Sequence, residues 1–166
     1  MPMPRQRVPR RRQAAPRAPR RAPLLKRSDV RMLLFEVANR MAPADVATLI
    51  GHEAALRAEA ARITSMHLAP LRRQIELALD CLHDHVTGAC PQIPYYTIGL
   101  LAAGVYYFAD KLDVVPDFLP RIGRLDDAAV MAMACQLSAD GLRRYCDWKG
   151  RNADEVLSRP RARRSR

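Results

Sequence analysis

The chain has few aromatic residues, and none falls in residues 1–27. A nucleic-acid grip built on base stacking is therefore excluded from that stretch. It has seven glycines, scattered, so the glycine clusters that cradle a nucleotide phosphate or a dinucleotide are missing, as is a nucleophile elbow. The four cysteines, Cys81, Cys90, Cys135 and Cys146, form no CxxC pair and are expected to be reduced, buried thiols. No apolar run of signal length precedes residue 28, which predicts a chain that is not secreted. No segment alternates apolar and polar residues as a half-buried strand would, and no repeat is found.

What is present is unevenly distributed charge. Residues 1–27 hold ten Arg or Lys and no acid, and residues 159–166 hold five Arg and no acid. These fifteen cations exceed the net charge of +11, so residues 28–158 carry −4. The basicity belongs to the ends. Residues 1–27 are a Pro/Arg/Ala tract, in which proline removes donors and fixes φ, so this segment is expected to be a disordered basic tail. Such a tail suits an anionic membrane surface or the sequence-blind neutralisation of nucleic acid. Met32 and Met41 are alternative starts to Met1, and N-terminal mass spectrometry of the native protein distinguishes them.

The body reads as all-α, a small bundle of about five helices. Ser28 stands as an N-cap before Val30, Leu33, Leu34, Val37 and Met41, spaced at i, i+3, i+4, i+7. Pro43 marks the next boundary, and the alanine-rich stretch to Ile63 keeps Leu49, Leu56 and Ile63 seven apart. After Pro70 a clean stripe runs through Leu68, Leu71, Ile75, Leu79, Leu82 and Val86, with Arg72, Arg73, Glu76, Asp80 and Asp84 mostly off it, and Gly88 stops it. Residues 90–109 contain no charge, but Pro91, Gln92 and Pro94 dilute the first half. The strongly apolar part, Ile98–Ala109, has the length of a buried core helix, whereas a span needs about 20 residues. Tyrosines at both ends keep a membrane-inserted helix as the alternative. A last long helix is expected from Leu125 to about Tyr145. The domain reading is 1–27 basic tail, 28–89 helical N-terminal part, 90–150 a second helical domain, and 151–166 basic C-terminal tail.

Between the last two apolar helices lies DKLDVVPDFLPRIGRLDD, residues 110–127, an Asp/Pro-rich corner. Asp113, Asp117, Asp126 and Asp127 are candidates for a hard cation or acid–base chemistry. The spacing and glycine of a calcium loop are absent, and Asp is equally a turn former and a helix cap, so both readings stand. Cys81, His83, His85 and Cys90 are a weaker zinc candidate, since structural zinc sites show tighter paired spacings. His52-Glu53 does not open an HExxH motif, because position 56 is Leu56.

From Tyr107 to Val130, YFADKLDVVPDFLPRIGRLDDAAV resembles the core motif of the YkvA-like domain family of unknown function. Asp113, Pro116, Asp117, Phe118, Pro120, Gly123, Asp126 and Asp127 fall on that motif in order. The chain departs from it at Asp110-Lys111, where the family commonly has Ser-Pro. The resemblance implies a small bacterial helical protein, membrane-associated or cytoplasmic, and carries over no activity and no cofactor. The expectation is thus a non-enzymatic module that binds an anionic membrane surface or a protein partner. A metal-dependent enzyme on the four aspartates and nucleic-acid binding through the tails are the alternatives.

Overall fold

A computed structural model describes residues 26–90, 92–109 and 127–157. Those residues form eight α-helices and one short 3-10 turn, with no strand among them. Helix α1 spans Arg27–Arg40, α2 Pro43–Gly51, α3 Glu53–Ala61, α4 Ala69–Val86, α5 Tyr95–Phe108, α6 Asp127–Leu137, α7 Ala139–Lys149 and α8 Asp154–Leu157. The expected five helices become eight because two are divided and a short one follows. The alanine-rich stretch breaks at His52 (φ −103°, ψ 14°), and the last long helix breaks at the buried Ser138 (φ −96°, ψ 8°). The Asp/Pro-rich corner lies outside the described residues.

The starts of α1 and α2 are set by acids at the third position rather than by hydroxyls. The Asp29 carboxylate accepts the Lys26 backbone N–H at 3.1 Å, and Asp45 accepts that of Ala42 at 2.8 Å. Ser28, expected as the N-cap, lies inside α1 and donates its hydroxyl to Asp29. Pro43 opens α2 and Pro70 sits in the first turn of α4, where no amide hydrogen is needed. Gly88 (φ 74°) follows α4 and Gly150 (φ 70°) closes α7, both in the left-handed region that glycine enters without strain. The Arg151 N–H returns to the Cys146 carbonyl at 2.8 Å and finishes the α7 stop.

Around α5 the core is assembled. Every residue from Thr97 to Phe108 is buried, although the helix has no polar face to turn outward. Helices α1, α2, α4 and α6 pack on it, and α7 reaches it at Thr97. Val30, Leu34, Val37 and Met41 of the first stripe are buried in this core, as are Leu49 and Leu56, while Ile63 is partly buried. In α4 the stripe holds from Leu71 to Leu82, but its ends, Leu68 and Val86, are exposed. All four cysteines are free and buried, and burial raises the Cys135 thiol to about 12.

Close approach to α5 depends on small residues on different sides. A Cβ at Gly99 would stand 2.9 Å from the Ala38 carbonyl oxygen of α1, and one at Gly104 would stand 2.9 Å from the Ala134 Cβ of α6. A Cβ at Gly141 of α7 would collide with the Thr97 side chain. Gly51 has open space around it. Gly99→Ala should therefore lower the unfolding free energy by about 1–3 kcal/mol, since backbone must move. Gly51→Ala should leave it unchanged or raise it by up to about 0.5 kcal/mol. Urea titrations of the two variants beside the parent check this.

Candidate functional site

Of the motif residues, Asp113, Pro116, Asp117, Phe118, Pro120, Gly123 and Asp126 lie outside the described residues. Asp127 is the first residue of α6, where a carboxylate suits the free amides and positive end of the helix dipole. The Cys/His set does not converge. Cys81 and Cys90 are buried, His83 is exposed and paired with Glu53, and His85 packs at a tilt on Tyr95 with ring centroids 6.0 Å apart. Among the described residues no group of three or more His, Cys, Asp or Glu is placed to hold a metal ion.

The structure offers two other concentrations of chemistry. The first is a charged layer on the outer side of α4. Asp80 accepts Arg57 from α3 at 2.6 Å on one oxygen and Arg151 at 2.5 Å on the other. Arg57 also holds Glu53 one turn back at 2.6 Å, and His83 approaches the second Glu53 oxygen at 2.7 Å. Burial would raise the Glu53 carboxyl, but the hydrogen bonds and charges of Arg57 and His83 outweigh it and hold it below the ordinary range. Arg57, Asp80 and Arg151 border a cleft of about 600 Å³, also lined by Arg73, Glu76 and Glu155. Its walls carry both signs of charge, and Asp80 is paired there with Arg57 and Arg151.

Beneath this layer Asp84 is buried, contrary to its expected place off the stripe. It accepts the Tyr145 hydroxyl at 2.6 Å and the Lys149 ammonium at 2.5 Å, tying α4 to α7. Burial pushes its carboxyl up, the two donors pull it down further, and the net direction is downward. The Tyr145 hydroxyl is pushed well above its ordinary value by burial and by the same hydrogen bond.

The second concentration is a groove between α1 and α6. One cavity of about 640 Å³ is lined by Arg27, Arg31, Met32, Phe35, Met133 and Leu137, together with Ser28 and Gln136. A second of about 230 Å³ adjoins it through Arg27, Met133 and Gln136. Among the described residues the lining is mainly apolar and its only charged members are Arg27 and Arg31. Met32 is 69% exposed. Sequence reasoning treated Arg27 as the end of the tail and Met32 as a possible start. Their spacing from Arg31 and Phe35 on one helix face was the available signal.

A family model described as "Protein of unknown function (DUF1232)" matches residues 97–133, which include most of α5 and the first half of α6. The chain is also 34% identical over 77 residues to the "Uncharacterized membrane protein YkvA" of Bacillus subtilis (strain 168), a match covering 46% of this chain and 73% of that protein. The chain belongs to this YkvA-like family of unknown function. No solved structure matches it.

Asp84 gives a pH test. Its lowered pKa means that its contribution to stability is full above the ordinary carboxylate value of 3.8 and disappears as pH falls through the folded-state value. Near neutral pH, Asp84→Asn should cost about 1–3 kcal/mol, because Lys149 and Tyr145 lose their charged acceptor. Denaturation curves of parent and variant should draw together as the pH is taken below 3.8.

Proposed function

We propose that the protein is a non-enzymatic helical module that associates with the surface of an anionic membrane. The observation that carries this reading is a groove rim where the charged residues described are Arg27 and Arg31, beside exposed apolar surface. Arg27 and Arg31 flank Met32 at the start of α1. The chain leading into that rim, residues 1–25, holds eight further arginines and no acid. Cations near an anionic lipid surface contribute about 1 kcal/mol each, and exposed apolar side chains add insertion into the interface.

The mode is peripheral. No helix among the described residues is long and apolar enough to cross a membrane. The uncharged helix α5, about 21 Å long at the rise of an α-helix, is enclosed by protein from Thr97 to Phe108 instead. The relative from Bacillus subtilis is described as a membrane protein, which agrees with a site of action at a bilayer.

Vesicle co-sedimentation tests this. The full chain should sediment with vesicles containing phosphatidylglycerol at low salt, stay in solution with pure phosphatidylcholine, and be released by high salt. Deleting residues 1–25 should weaken the binding at least about tenfold. Equal binding to both lipids, or indifference to salt, would sink the reading. Retention on duplex DNA without vesicle binding would favour the nucleic-acid alternative.

A further inference from the structure

We infer that the α1/α6 groove is a binding site for an anionic amphiphile, with the apolar chain lying in the groove and the acidic headgroup held by Arg27 and Arg31. This deepens the membrane-surface reading and rests on it for its biological setting, but the groove stands on its own geometry. The larger cavity, about 640 Å³, falls within the range of roughly 300–1,000 Å³ typical of small-molecule sites, and the 230 Å³ cavity extends it along α6.

The shape of the chemistry points to the ligand class. Met32, Phe35, Met133 and Leu137 supply apolar walls, two of them unbranched thioether chains that adapt to an irregular guest. Arg27 and Arg31 are one turn apart on α1, so their guanidinium groups share a side of the helix. Both are placed by contacts that leave donors over: Arg27 donates to Gln136 at 3.3 Å, and the Arg31 guanidinium lies over the Phe35 ring at 5.6 Å from its centroid. A guanidinium pair of this kind matches a carboxylate or phosphate headgroup.

Charge complementarity is one-sided. Among the described residues no carboxylate lines either cavity. The acids of α1 act elsewhere: Asp29 accepts the Lys26 N–H and the Ser28 hydroxyl. Glu36 is close enough to Tyr107 to help raise its hydroxyl, after burial, to about 12. An acidic headgroup therefore meets attraction at the rim and apolar surface below it. A cationic or neutral amphiphile would leave both arginines without an anion.

The test uses the full chain and dansyl-undecanoic acid below its micelle concentration, with the methyl ester as the uncharged control. The acid should bind saturably and the ester more weakly. Arg31→Gln and Met32→Glu, both at exposed positions and each checked for an unchanged circular dichroism spectrum, should each weaken the acid by about tenfold. Both variants should still sediment with anionic vesicles at low salt, because residues 1–25 keep their eight arginines. Absence of saturable binding, or equal affinity in parent and both variants, overturns the groove site while leaving vesicle association intact. Binding that emerges only after deletion of residues 1–25 also overturns it, because the chain itself then fills the groove. Retained binding of the acid by a chain that ignores anionic vesicles supports the groove and removes only the membrane-surface reading.

Discussion

Enclosing a helix that has no charge is the constraint on which the other elements depend. α5 cannot present any face to water without losing part of the roughly 1.5–3 kcal/mol that each large apolar side chain contributes when buried. Packing must therefore come from several directions. α1, α2, α4 and α6 supply it, and α7 closes on Thr97. Glycines at 99, 104 and 141 let backbones approach where a methyl group would collide. The hydroxyls carried into this core need partners. Tyr106 donates to the Asp45 carbonyl at 2.6 Å and Tyr95 to that of Met41 at 3.1 Å. The Tyr107 hydroxyl and the Thr97 and Ser138 oxygens have none among the described residues. The inside of the bundle is thus held mostly by shape.

α4 mediates between that core and water. Its inner face continues the apolar packing through Ile75, Leu79 and Leu82, while its outer face holds the ion pairs of Asp80 and the buried carboxylate of Asp84. The two faces differ in what they specify. Dispersion and burial are tolerant of small rotations. A carboxylate that must meet both Tyr145 and Lys149 is not, so Asp84 fixes the rotation of α7 against α4. In the groove between α1 and α6 the contacts described are apolar chains and the 3.3 Å hydrogen bond from Arg27 to Gln136.

Helical periodicity made much of this fold legible. The spacing of Val30, Leu34 and Val37, and of Leu71 to Leu82, names the core faces correctly, because burying a stripe is the dominant gain for an amphipathic helix. The heptad Leu49, Leu56, Ile63 survives the break at His52, so the face was readable although the break was not. Ser138 was hidden for a similar reason: the residues on both sides are good helix formers, and only tertiary packing selects the bend. Asp84 was misplaced because a carboxylate is buried only with partners, and Tyr145 and Lys149 lie about sixty residues away in sequence. The groove was invisible because it needs α1 and α6 side by side. The motif aspartates named the family, and their geometry, Asp127 apart, lies outside the described residues.

The two tyrosine hydroxyls have a mechanical consequence. Met41 and Asp45 bracket the corner between α1 and α2, and each accepts a hydroxyl from α5, one from its first residue and one three turns later. The corner is clamped at two separated points on the most deeply enclosed helix. A pull applied at Lys26, where the cation-rich segment joins α1, is therefore not absorbed by a hinge at Ala42. It loads the centre of the bundle directly, through Tyr95 and Tyr106.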